Sequence, residues 1–123
     1  MIRISAFIFA LLISTVVSAE EAVIVVFPFE TSQGSGTASL ERVFLLEDEL
    51  EKAIRNAKAG ELDGNEVGQG VAVIYMYGPS ASVLYGAIRS VLEKSSLTQE
   101  GYVRVRFGPP GSKENRYKLG NNS

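Results

Sequence analysis

The chain has 123 residues, of which 12 are basic and 14 are acidic, and it contains neither histidine nor cysteine. The absence of cysteine excludes disulfides, thiol nucleophiles and iron-sulfur clusters, and the absence of histidine excludes a Ser-His-Asp triad and imidazole metal ligands. A net charge of -2 without a basic cluster argues against a nucleic-acid-binding protein, because phosphate neutralisation supplies the affinity of such proteins. We therefore expect no cofactor, and any catalysis would use carboxylate, hydroxyl, lysine or tyrosine groups.

The first 19 residues have the three parts of an export signal. Arg3 supplies the charge, residues 4–17 are apolar apart from two serines and a threonine, and Val17-Ser18-Ala19 fits a peptidase site. The uncharged run is shorter than the roughly 20 residues of a spanning helix. We expect cleavage after Ala19 and a secreted or periplasmic protein without further membrane contact; the alternative is an uncleaved anchor.

Residues 20–111 are predicted to form one domain, and residues 112–123 a polar C-terminal tail, because the mature chain is too short for two independent cores. The first element is the apolar, β-branched run 22–29 (AVIVVFPF), which is typical of a buried strand. An amphipathic helix follows, with Ser39 as its cap and Gly60 at its end. Its predicted core-facing residues are Leu40, Val43, Phe44, Leu50, Ile54 and Ala57.

Residues 61–67 and 71–77 are predicted strands, joined by a three-residue hairpin connection, Gly68-Gln69-Gly70. A second helix begins after Ser80 and ends near Ser95. The last strand, 102–107 (YVRVRF), alternates between apolar and polar residues until a Gly-Pro-Pro-Gly sequence ends it.

The order strand, helix, strand, strand, helix, strand predicts an α+β, ferredoxin-like two-layer sandwich. We expect an antiparallel βαββαβ sheet with two helices on one face and the strand order last, first, third, second. The first and third strands would be central and parallel to each other.

Four pieces of sequence, LEDELEKAI, ELDGNEVG, VIYMYGPSA and GYVRVRFGPPG, resemble a small bacterial domain family that has no established activity. The similarity extends over about residues 23–111. Its most specific pieces are Asp63-Gly64-Asn65-Glu66, Tyr77-Gly78-Pro79 and Phe107-Gly108-Pro109-Pro110. The resemblance implies the ferredoxin-like fold and transfers no catalytic residue.

The side of the sheet away from the helices is unusually apolar in its two central strands. A two-layer domain exposes this side, and a contiguous apolar face usually marks an interface. One interpretation is a binding surface with Tyr75 and Tyr77 at its centre and Arg104 and Arg106 on its rim, together with Tyr102. The other is that the C-terminal tail folds over this side, or that the residues only favour strands.

The acidic run around Asp63 and Glu66 has two interpretations. Paired carboxylates can act as acid and base, but one short run gives neither the facing pair of a glycosidase nor the six or more oxygens of a calcium site. An edge strand guarded by charge and glycine explains the same residues.

These features predict a non-enzymatic, exported interaction module whose partner is a protein or a second copy in a homodimer, with an inhibitor-like or toxin-neutralising protein as one version. The alternative is a small carboxylate-dependent hydrolase that uses Asp63 and Glu66.

Overall fold

The computed structural model describes residues 20–30 and 36–120. Its elements in chain order are β1 (Glu21–Pro28), α1 (Gly36–Ala57), β2 (Glu61–Gly68), β3 (Val71–Gly78), α2 (Ala81–Lys94), a 3-10 helix (Ser96–Thr98), β4 (Tyr102–Arg106) and β5 (Glu114–Lys118). The protein is therefore an α+β protein. The predicted export signal lies outside the described residues, and neither α-helix in these ranges combines the length and apolar character of a membrane span.

The five strands form one antiparallel sheet in the order β2-β3-β1-β4-β5. The four predicted strands have the predicted relative order, and β5 is added beyond β4. The prediction that the first and third strands are parallel is wrong, because β1 and β3 pair antiparallel with Val25 opposite Ile74. Helix α1 carries the chain back so that β2 runs with β1, and the β2-β3 hairpin then reverses the direction.

The segment expected as a polar tail contributes β5. Ser112 N–H donates to the Pro109 carbonyl at 3.0 Å in the turn after β4, and β5 then pairs antiparallel with β4 over residues 114–118. This part of the chain extends the sheet at its edge, so it does not fold across the sheet as one interpretation required.

The hydrophobic core lies between the sheet and the two helices, which contact each other on the same face. Strand residues in this core are Val23, Val25, Phe27, Ala72, Ile74, Met76, Val103 and Val105. Helix α2 adds Leu84, Ile88 and Leu92, which are fully buried.

The core face of α1 differs from the prediction at three positions, Phe44, Leu46 and Ala57. Its buried stripe consists of Val43, Leu46, Leu50 and Ile54. Phe44 is 50% exposed, and Ala57 is also exposed. Steps of three and four residues from Val43 reach Leu46 and not Phe44, so the helix turns Phe44 outward.

The helix boundaries show which local signals were sufficient. Ser80 caps α2 as predicted, accepting a hydrogen bond from Val83 N–H at 3.2 Å. Helix α1 begins at Gly36, three residues before the predicted cap. Lys58, with φ of 52°, takes the left-handed position after α1. Gly60 is required for another reason, since a Cβ there would overlap the Tyr77 carbonyl on β3.

Strand β2 is an irregular edge strand. Its pairing with β3 shifts between Leu62 and Gly64, where a bulge sits, and Gly64 has φ of 153°. The hairpin turn to β3 is tighter than predicted: two residues, Gln69 and Gly70, both have positive φ, which matches the right-handed twist of the flanking strands. The bulge and the acidic residues of β2 disfavour the addition of another strand at this edge.

Candidate functional site

The open face is the side of the sheet that faces away from the two helices. Directly paired residues in adjacent strands share a face, so the strand register defines its rows. From β2 to β5, the first row is Glu61, Tyr77, Ala22, Arg106 and Glu114; the second is Gly64, Tyr75, Ile24, Arg104 and Arg116; the third is Glu66, Val73, Val26, Tyr102 and Lys118.

All five predicted binding residues lie on this face, but not as a tyrosine centre with an arginine rim. The middle strand is β1, whose Ala22 and Ile24 are 0% and 2% exposed. Tyrosines of β3 lie on one side of them and arginines of β4 on the other. Because β5 extends the sheet, Arg104 and Arg106 lie inside the face. The large side chains cover the small central ones, so the face is mixed aromatic and charged.

Tyr75 is tied to the β2 side of the face. Its hydroxyl donates to Glu66 Oε1 at 3.0 Å. This hydrogen bond, together with desolvation, raises the pKa of Tyr75 above its ordinary value, because the carboxylate favours the protonated phenol. Tyr75 is half-buried and therefore held in place, with part of its ring accessible.

Arg104 forms a bidentate ion pair with Glu114 of β5. Its Nε and Nη2 donate to the Glu114 carboxylate at 2.9 and 3.0 Å. The guanidinium lowers the pKa of Glu114 below its ordinary value by hydrogen bonding to the carboxylate. Arg106 is 9% exposed and donates from Nε to the Gly108 carbonyl at 2.9 Å. Both arginines are fixed before any partner arrives.

Three site residues on β5 were not predicted from the sequence: Glu114, Arg116 and Lys118. The Arg116 guanidinium carbon lies 4.5 Å from the centre of the Tyr102 ring, a cation-π contact that joins β4 to β5. The signal that could have found them is the turn sequence Gly108-Pro109-Pro110-Gly111 before a short stretch with an aromatic residue.

Charge on the open face is divided between its two sides. The β2 side carries Glu61 and Glu66, and the β4-β5 side carries four cations and one carboxylate. The cations are Arg104, Arg106, Arg116 and Lys118. With strands about 4.8 Å apart, β2 and β5 are separated by roughly 19 Å. The face therefore has an acidic side, an aromatic and aliphatic middle, and a basic side.

The alternative acidic site is not assembled into a cleft by the described residues. Glu66 lies on the open face and accepts from Tyr75, whereas Asp63 is exposed at the β2 bulge. A shallow cavity beside Glu66 is lined by residues 66–69, Val71 and Val73, and Asp63 is not among its lining residues. Within residues 20–30 and 36–120 no cluster of three or more metal-ligating side chains occurs.

Comparisons with protein-family models, with curated proteins and with solved structures give no match to this chain.

Proposed function

We propose that this protein is an exported, non-enzymatic binding module that acts through its open face, and that its partner there is a second copy of the chain. The observation that carries the proposal is the division of charge across the face, with acidic residues on β2 and basic residues on β4 and β5. Tyrosine and arginine, which dominate the middle and basic parts, are the residue types enriched in the energetic centres of interfaces.

We infer for the domain a ferredoxin-like arrangement with one added strand. The order β4-β1-β3-β2, the βαββαβ succession and two helices on one face support this inference. A sheet covered by helices on one side has its other side available for a sheet-to-sheet contact.

Two open faces can be placed together by a two-fold axis in either of two directions, and charge distinguishes them. A two-fold axis that lies in the interface and runs along β1 puts the β2 side of one copy over the β5 side of the other. An axis perpendicular to the strands would instead put β2 over β2 and oppose like charges. Charge complementarity therefore favours the first axis.

This axis places residues of the same row opposite each other. Glu66 of one copy faces Lys118 of the other, and Tyr75 faces Arg104. Ile24 faces Ile24 at the axis. Glu61 would face Glu114, a like-charge pair, but the charge of Glu114 is already balanced by its own Arg104.

The size of the face predicts a reversible dimer. Five strands at about 4.8 Å spacing and roughly 20 Å in length give a face of about 500 Å² per copy, or about 1,000 Å² in total. This is below the roughly 1,200 to 2,000 Å² of stable complexes and within the range of transient ones. We therefore test for a dimer at micromolar protein concentrations, about 1 to 100 μM, since area alone does not set the affinity. We expect an equilibrium between monomer and dimer.

The test is sedimentation velocity of the purified chain over a dilution series that brackets this range. We expect the average mass to rise toward twice the monomer mass, and the Tyr75→Ser/Tyr77→Ser variant to stay monomeric. Asp63→Asn, which removes an exposed charge at the bulge, is the matched control and should behave as the parent protein.

A charge exchange tests the symmetry. Glu66→Lys and Lys118→Glu should each weaken the dimer about tenfold, and the double variant should recover most of the loss because both opposed pairs are restored with their signs exchanged. A monomer at every concentration, or a dimer unaffected by the tyrosine changes, would reject the proposal. A dimer that both single variants weaken without recovery would reject the axis along β1.

A further inference from the structure

A second surface, which shares only Arg116 and Lys118 with the open face, lies between helix α2 and the edge strand β5. A groove of about 530 Å³ runs there, within the size range of ligand sites. It is lined by Tyr85, Arg89 and Glu93 of α2, by residues 116–118 of β5, and by Leu119 and Gly120. The groove follows a free sheet edge, since no strand of the described residues pairs with the outer side of β5.

The backbone of this edge has hydrogen-bonding groups that point into the open. Phe107 N–H donates to the Lys113 carbonyl and Leu119 N–H to the Gly101 carbonyl. Because inward and outward groups alternate along an antiparallel strand, residues 113, 115, 117 and 119 bond to β4. The N–H and C=O groups of Glu114, Arg116 and Lys118 therefore point away from the sheet, a spacing that an added strand matches.

The helix side of the groove has an aromatic floor. Tyr117 of β5 stacks on Tyr85 of α2, with ring centres 5.3 Å apart and planes inclined by 5°. Tyr117 is 40% exposed and Tyr85 half-buried, so both rings present surface to the groove. Arg89 lies over the Tyr85 ring at 6.0 Å and is paired with Glu93 at 2.9 Å, which leaves this side without net charge. Apolar side chains fit here.

The other side of the same edge is basic. Side chains of Arg116 and Lys118 point to the open face, and the single carboxylate beside them, Glu114, is bound by Arg104. Acidic side chains on this side of an added strand would meet two cations. Since side chains of a strand alternate between faces, the edge selects an alternating apolar and acidic sequence.

We propose that the outer edge of β5 binds an extended peptide by strand addition, and that the peptide carries apolar side chains over the Tyr85-Tyr117 stack and acidic side chains beside Arg116 and Lys118. Main-chain hydrogen bonds to β5 supply affinity and the two sets of side chains supply specificity, as in other cases of strand addition to a sheet edge. The edge of β2 is unsuited to this role because of its bulge.

The probe is a fluorescent seven-residue peptide of alternating valine and glutamate, titrated with the purified chain and followed by fluorescence anisotropy. We expect saturable binding, no binding of a valine-lysine peptide, and loss of binding when alternate peptide amides that face β5 are N-methylated. Binding that is indifferent to N-methylation would overturn strand addition, and equal binding of the lysine peptide would overturn the acidic preference. Absence of binding by the valine-glutamate peptide would overturn the proposal.

A matched pair of variants locates the site. Tyr117→Ser removes half of the aromatic floor and should weaken peptide binding about tenfold. Phe44→Ser removes a similarly exposed ring from α1, outside the groove, and should leave binding unchanged. Amide chemical-shift changes should centre on residues 114–118 and on α2 near Tyr85; changes centred on the open-face residues of β3 would overturn the assignment. Neither variant alters an open-face side chain, so a loss of peptide binding in Tyr117→Ser is not explained by a change in the proposed dimer.

Discussion

The ion pair between Arg104 and Glu114 should measurably stabilise the attachment of β5 to the sheet. The two hydrogen bonds of the pair have ordinary lengths of 2.9 and 3.0 Å, and the side chains are 32% and 25% exposed. Fully exposed pairs contribute about 0.2 to 1 kcal/mol, and bidentate arginine-carboxylate pairs are stronger than single contacts. Partial screening by water keeps the expected coupling free energy at about 1 kcal/mol.

A double-mutant cycle measures this coupling directly. Arg104→Met keeps the aliphatic stem and Glu114→Gln keeps the shape, so the two single variants and the double variant isolate the charge interaction. Urea denaturation at a protein concentration low enough for monomer gives the four free energies of unfolding.

The coupling should also depend on pH with a defined sign. Arg104 lowers the pKa of Glu114 in the folded protein, so the folded state binds fewer protons than the unfolded state between the two pKa values. The stabilisation is therefore present above the ordinary glutamate pKa and disappears as the pH falls through the folded value. A coupling below about 0.3 kcal/mol at neutral pH, or one that acid leaves unchanged, would refute the reasoning.

Three other predictions test particular contacts. Thr98→Val should destabilise the protein by about 1 to 2 kcal/mol in urea denaturation, because the fully buried hydroxyl donates to a carbonyl at the end of α2 at 2.7 Å, whereas Thr98→Ser should lose less by retaining that bond. Gly60→Ala should strongly destabilise the folded protein, because the added Cβ would overlap a β3 carbonyl. Gly86→Ala lies on the exposed side of α2 with open space around it, so it should stabilise the protein by about 0.5 to 1 kcal/mol. Equal effects of the two variants would contradict this account. In an ultraviolet pH titration, Tyr75 should have a pKa above its ordinary value, and Glu66→Gln should bring the pKa of Tyr75 back toward that value. Because the folded pKa is raised, the hydrogen bond stabilises the fold below the ordinary tyrosine pKa, and this stabilisation is lost as the pH rises through the folded pKa.

The spacing of apolar residues was sufficient where an apolar run is continuous or where a helix cap is explicit. This spacing predicted β1 and β3, which are continuous apolar runs, and the boundaries of α2, which has a single apolar face and a serine cap. It was insufficient for α1, where Phe44, Leu45 and Leu46 are consecutive and only packing decides which one is buried.

Strand β5 shows why part of the candidate site was missed, since the turn before it is a hairpin signal but the strand itself has only a weak pattern. Its sequence, ENRYK, contains one apolar-bodied residue and no alternation of the usual kind. It is held by its ladder with β4, by the Arg104-Glu114 pair and by the contact of Arg116 with Tyr102. Interactions of this kind depend on residues distant in the chain, so a local pattern does not reveal them.

Because of the bulge between Leu62 and Gly64, only one of the two sheet edges, that of β5, is regular enough to accept another strand. A sheet with two regular edges can join copies head to tail without limit, and such contacts grow into fibres. Here a strand that docks on β5 meets no equivalent acceptor at the opposite end of the same molecule. Edge pairing therefore stops after one addition, and the open edge of β5 does not by itself lead to a growing chain of molecules.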